Sequence, residues 1–336
     1  MDRHEYQSAE NTPDGAPSAA GRRRFLKAAA ASGLALPCGG AIAHAMELVT
    51  TESMAAGPLW EIEAVRVEQA FSDGSTCPFF RYRALGSTPS AGTVPVLSGR
   101  RGQMAQLRVH NTLTRGIRPT IVGGSPGPLI APGEDLTFEV QVPPMGTWML
   151  TDAELGDAAG PMGLGAVIVS RLGATISRRN LQTLRPRYDR EYVLFYVDSD
   201  DRWNTAIDTG GVPDFGVYEP NYHTVNNLTY PDTAGDSGTT IACQVGDRVL
   251  LRMCNLGWVR QSVHFHGYHV QIERINNQRQ AIYGPKDTVP LPGHSTMEAV
   301  LHVNQPGIFP VHPHSLTTTT DNGLYIGGQI TLIVAS

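Results

Sequence analysis

Cysteine is scarce in this chain: its 336 residues hold four, Cys38, Cys77, Cys243 and Cys254. None stands in a CxxC pair, which argues against a thiolate zinc site. Cys38 lies in an N-terminal segment with its own signature, described below. The other three are an odd number, so at most one disulfide can form, and the sequence does not choose the pair. A strong excess of one sign of charge is also missing. The net formal charge is −5 and no basic stripe runs through the body, which argues against nucleic acid as a partner. No apolar run in the body approaches the roughly 18 residues that span a bilayer. The 9 methionines are scattered, with no Met-rich tract. Beyond the N-terminal segment no stretch sustains a 3.6-residue apolar period, so long helices are not expected.

Glycine and proline are plentiful, with 36 and 24 residues, and suit many short strands joined by tight turns. At the N-terminus, "GRRRFLKAAAASGLALPCGGAIAHAM" opens with Arg22, Arg23 and Arg24, then Phe25, Leu26 and Lys27, and continues as a mildly apolar, Ala-rich run. Small-x-small sites follow at Ala41–Ala43 and Ala43–Ala45. The segment resembles a twin-arginine (Tat) export signal. The resemblance implies a periplasmic or otherwise exported protein, cleaved near Ala43 or Ala45, with residues 1–45 absent from the mature chain. That route carries folded proteins, often with a cofactor already inserted.

The body reads as strands throughout: "MAQLRVHNTL" (104–113), "DLTFEVQV" (135–142), "AVIVSRL" (166–172), "YVLFYVD" (192–198), "DRVLLRMCN" (247–255), "VHFHGYHVQIERI" (263–275) and "GQITLIV" (328–334). They alternate or are β-branched, and Gly, Pro, Asn or Asp clusters bound them. The expected fold class is all-β, built of packed sandwiches. The two halves share a plan. Each opens through a Gly turn into a strand ("RRGQMAQLRVHN", "QVGDRVLLRMCN"), carries a central segment ("RPTIVGG", "QSVHFHG"), then a Gly-aromatic strand ("MGTWML", "PGIFPV") and an apolar return. A tandem repeat of one Greek-key unit follows, with domains expected over 55–175 and 176–336 and a boundary near 178–191.

Two His-x-His pairs stand in the second half, His264 with His266 and His312 with His314. In a strand, residues i and i+2 point the same way, so each pair puts two imidazoles on one face. Neutral imidazoles suit Cu(II) or Zn(II). His110, His223 and His294 read as ordinary core or surface residues. His269 and His302 stand near the pairs in sequence and could support the ligands from outside.

The stretches "NNLTYPDT", "VGDRVLLRMCNLG", "HFHGYHVQI", "KDTVPLPG" and "NQPGIFPVHPHSL" resemble the C-terminal domain of multicopper oxidases. "LRVHNTL", "PTIVGG" and "MGTWML" are similar to the N-terminal domain of that family, and together the likeness covers most of residues 60–334. It implies two tandem cupredoxin-like (plastocyanin-like) Greek-key β-sandwiches, as in the two-domain nitrite reductases, and a possible homotrimer. It also implies a ligand set that this chain holds only in part. The family uses four His-x-His pairs for a trinuclear copper cluster and a Cys within the last pair for a blue, type 1 copper. The His three residues before the first pair is replaced by Gln261, the Cys by Pro313, and the next His by Thr318; the axial Met falls near Leu324. The first-half pairs fall on Thr120 and Val122, and on Thr151 and Ala153, with Asp152 between the latter two.

Without the Cys and its His partners there is no blue copper. Four of eight cluster histidines cannot hold three coppers, so the usual reduction of oxygen should be lost. The expected activity is that of an exported copper-dependent oxidoreductase with one all-histidine, type 2-like site on His264, His266, His312 and His314. Asp152 is the candidate acid/base. Electrons would come from a small-molecule substrate or an external donor. Zinc, or no metal, is the alternative occupancy. Two other functions stay open: copper handling without turnover, and a metal-free cell-envelope scaffold such as some Tat-exported relatives of multicopper oxidases have become.

Overall fold

A computed structural model describes residues 57–86, 94–172, 188–280 and 284–336. The segment read as an export signal, residues 1–45, lies outside them, as does most of the expected boundary at 178–191. Among the described residues no helix is long and apolar enough to cross a membrane.

The first half supplies β1 (Leu59–Ala70), β2 (Thr76–Ala84), β3 (Val96–Arg100), β4 (Met104–Asn111), β5 (Pro119–Ile121), β6 (Asp135–Gln141), β7 (Gly146–Asp152) and β8 (Ala166–Arg171). The second supplies β9 (Arg190–Ser199), helix α1 (Asp201–Asp208), β10 (Tyr222–Val225), β11 (Ile241–Cys243), β12 (Arg248–Asn255), β13 (Gln261–Phe265), β14 (Val270–Ile275), β15 (Gln278–Arg279), β16 (Thr288–Leu291), β17 (Ser295–His302), β18 (Gly307–Pro313) and β19 (Thr331–Ala335).

These strands make four sheets: β2-β1-β4-β6 and β3-β8-β7-β5 in the first half, β10-β9-β12-β17-β14-β15 and β11-β19-β18-β13-β16 in the second. The repeat seen in the sequence is therefore a repeat of topology. The parallel pairs β1–β4 and β3–β8 recur as β9–β12 and β11–β19. The antiparallel pair β5–β7 recurs as β13–β18. The second sandwich adds β14 and β15 beyond β17, and β16 beyond β13.

Alternation explains which way each strand faces. In β4, Ala105, Leu107 and Val109 are fully buried while their neighbours are not. In β13, Val263 and Phe265 go into the core and His264 turns outward. Burying a side chain such as Val263 or Phe265 contributes about 1.5–3 kcal/mol, enough to lock the register that puts the histidines on the open face.

Each half has its own core, around Ile62, Leu107 and Leu150 in the first and Val263, Phe265 and Ile333 in the second. A third cluster joins them: Met149, Val167 and Val169 of the first half meet Phe195, Val197, Cys254 and Leu256 of the second. Beside it Arg252 is buried with Glu191 and Glu298, and its guanidinium also donates to Thr147 Oγ1 across the seam at 2.8 Å.

Two features differ from the sequence reading. Helix α1 was not expected, because eight residues are too few to display a sustained period. Its N-cap Asp200 accepts from the Arg202 amide, and Trp203 and Ile207 bury into the first sandwich's core. The stretch 263–275, read as one strand, is two strands in different sheets. Gly267, at φ +72, makes the turn between them. Among the described residues, Cys77, Cys243 and Cys254 are all buried and free.

Candidate metal centre

The site is built on β13 and β18. These strands run antiparallel, with His264 directly opposite His312. Facing residues in such a pair share a face, as do i and i+2. All four imidazoles therefore stand together on the open side of one sheet. His264 lies 4.6 Å, centroid to centroid, from both His266 and His314. His266 lies 5.1 Å from His312, and His264 and His312 are 6.1 Å apart. His264 and His312 are half-buried; His266 and His314 are exposed.

Hydrogen bonds fix which nitrogens are free. Nδ1 of His312 lies 2.9 Å from the Pro313 carbonyl. A carbonyl oxygen only accepts, so Nδ1 carries the proton and Nε2 presents a bare lone pair. That Nε2 lies 3.0 Å from Nε2 of His266, which must then be the donor. A cation entering between these two nitrogens would displace the His266 proton. Nδ1 of His264 lies 2.9 Å from Thr288 Oγ1 and leaves its Nε2 for another partner. Burial holds the imidazoles of His264 and His266 below their ordinary range, and the neighbouring histidines push the same way. Both effects keep the rings neutral, the form that ligates.

The donor set suits Cu(II) or Zn(II), and its placement supplies one facing pair. Among the described residues, no group of three or more His, Cys, Asp or Glu side chains is placed to hold a single ion. A full four-imidazole site needs the rings to rearrange from this placement.

The other positions singled out by the sequence are also placed. Pro313 is buried opposite Val263 and offers neither thiol nor N–H. Gln261 is fully buried; its Nε2 donates to the Val259 carbonyl and its Oε1 has no partner. Thr318 is buried and donates to the Ser315 carbonyl, while Leu324 is exposed. In the first sandwich Thr120 faces Thr151 across β5 and β7, the equivalents of His264 and His312 across β13 and β18. Both threonines spend their hydroxyls locally, on the carbonyls of Arg118 and Leu164. Asp152 is buried, and its two oxygens accept from the backbone amides of Arg118, Glu154 and Leu155. Burial raises its carboxyl above the usual range against those donors. It caps its own turn, and the quartet is not among its hydrogen-bond partners.

Residues 196–329 match the multicopper oxidase family. The matched span holds both His-x-His pairs of this multicopper oxidase-like chain. The solved structures agree on its fold. A blue copper oxidase from Nitrosomonas europaea superposes with a TM-score of 0.66 at 20% identity, covering 83% of this chain and 86% of that one. The multicopper oxidase mgLAC gives 0.66 at 17% identity, with the same coverages of 83% and 86%. A copper nitrite reductase from Nitrosomonas europaea gives 0.62 at 15% identity, covering 83% and 93%. Identities this low speak to fold: two tandem cupredoxin-like sandwiches. No curated protein matches the chain by sequence.

Proposed function

We propose that this multicopper oxidase-like protein is an exported copper-dependent oxidoreductase with one type 2-like centre held by His264, His266, His312 and His314, and without a blue copper. One observation carries the reading: four imidazoles meet on one face of β13 and β18, with the lone pair of His312 already oriented by the Pro313 carbonyl. Copper bound there would supply one-electron redox chemistry and an open position for a small molecule. The chain's own contribution is to keep the rings neutral, to orient His312, and to leave the exposed side of the quartet open to a substrate or donor. Pro313, Gln261 and Thr318 offer no thiolate or imidazole for a type 1 centre, so electrons would come from the bound molecule itself or an external donor. Export through the twin-arginine route, and a homotrimer like that of two-domain relatives, belong to the same proposal.

Copper handling without turnover is the second reading. It is favoured by the absence, among the described residues, of three donors placed around one point, which suits a site that takes up and releases its ion.

Metal analysis and EPR of the copper-loaded, exported protein test the reading. One quartet-dependent copper per chain, with an all-nitrogen, type 2 spectrum, is expected. Combined His266→Ala and His314→Ala substitution should abolish it, and unchanged stoichiometry would place the metal elsewhere. Neither copper nor zinc after loading would overturn both readings in favour of a scaffold, and an intense band near 600 nm would overturn the loss of the blue site. Oxygen uptake across phenols, amines and reduced metal ions separates the enzyme from the carrier.

A further inference from the structure

A second pair of histidines lies on the far side of the turn that ends β13. His269 follows His266 by three residues, which span at most about 11 Å of chain. Val270 pairs with Leu301 on β14 and β17, so one step further along the same register brings His269 opposite His302. Both histidines line a cavity of about 330 Å³, together with Gln271 and Asn304. Both histidines are exposed, so the cavity opens to solvent. One wall is fixed: Tyr268 donates its hydroxyl proton to the Gln305 carbonyl, and Gln305 Nε2 donates to the Gly267 carbonyl at 2.6 Å.

We propose that His269 and His302 form a second transition-metal site, for an ion of the Cu(II) or Zn(II) class, separate from the quartet. Two imidazoles on adjacent strands can chelate such an ion, and waters complete its shell. The cavity has room for the ion with several waters, each occupying about 30 Å³. With two imidazoles in place of four, this site binds more weakly than a filled quartet. The cavity reaches Gly267, which follows His266 in the chain, and this suits an outer docking point for an ion on its way to or from the quartet. The site stands whether or not the quartet holds metal.

The test uses untagged, metal-free full chain titrated with Cu(II) and with Zn(II), read by equilibrium dialysis and, for copper, by pulsed EPR of the coordinated nitrogens. A variant with His264, His266, His312 and His314 all changed to Ala should still take up one ion per chain. Adding His302→Gln should weaken that binding by about tenfold or more. If the quadruple variant does not fold, the comparison of the unaltered chain with His302→Gln alone decides. One ion fewer per chain supports the second site, and unchanged stoichiometry and affinity overturn it. A folded quadruple variant that binds nothing overturns it too. If the quartet proves empty while the His302-dependent ion remains, the function proposed above falls and this inference stands.

Discussion

At the scale of single residues, burial separates histidines that can offer a lone pair from histidines that only pack. His312 has one nitrogen tied to a carbonyl and the other turned to its neighbour, so it can give a lone pair outward. His223 is the opposite case. It is buried in β10 with Nδ1 unpartnered, and desolvation lowers its pKa to about 4, against the weaker pull of the Thr320 backbone and Asp321. A folded value below the unfolded one means that the unfolded chain binds the proton first as pH falls. The stability is complete above the unfolded value of about 6.5 and declines as pH drops toward 4, by roughly 3 kcal/mol at most. Asp198 acts with the opposite sign, since burial raises its carboxyl to about 6. Comparing variants isolates the histidine. Urea unfolding of His223→Gln should show a smaller loss between pH 7.5 and 4.5 than the unaltered chain shows. Equal losses would refute the assignment.

At the scale of elements, single glycines decide where strands stop and how closely they approach. A side chain at Gly267 would meet the Phe309 ring at 2.6 Å, at a φ of +72 that favours glycine. That turn is what splits the 263–275 stretch and separates His266 from His269. Gly146, at the start of β7, is the tighter constraint: an added Cβ would lie 1.9 Å from Asn277 Oδ1. The same oxygen accepts from the Thr147 amide at 2.8 Å, while Asn277 Nδ2 donates to the Thr147 carbonyl at 2.9 Å. Gly146→Ala should therefore break a two-bond link between the sandwiches and cost about 1–3 kcal/mol. Calorimetry of Gly146→Ala beside Gly235→Ala, whose Cβ would meet nothing closer than 3.9 Å, checks this. An equal Tm in the two variants would argue against the contact. The sequence reading found the Gly-Thr of "MGTWML" as a repeat marker. It had no means of knowing that Asn277, 131 positions from Gly146, would be its partner.

At the scale of the whole molecule, the two sandwiches share more than a linker. Arg252 sits between Glu191 and Glu298 with side-chain exposures of 6%, 19% and 10%, and reaches Thr147 of the first sandwich. Removing one partner of such a buried set leaves charge without compensation, a loss of roughly 3 kcal/mol or more. Glu298→Ala should lower the urea midpoint accordingly, and Glu298→Gln, which keeps an acceptor for the guanidinium, should lower it less. Equal effects from both substitutions would show that charge at this seam is unimportant.

Much of this was legible beforehand. Alternating apolar residues bounded by glycine and proline announce strands, because a half-buried strand repeats every two residues. The two His-x-His pairs announce two imidazoles each on a common face, and the repeat of segment order announces the repeat of topology. What the chain alone could not decide is everything set by contacts across long separations. That His264 faces His312, that Thr120 faces Thr151 at the equivalent place, and that His269 and His302 line one cavity all depend on strand register. Register is selected by which apolar faces the sandwiches bury, a property of packed strands rather than of any one stretch.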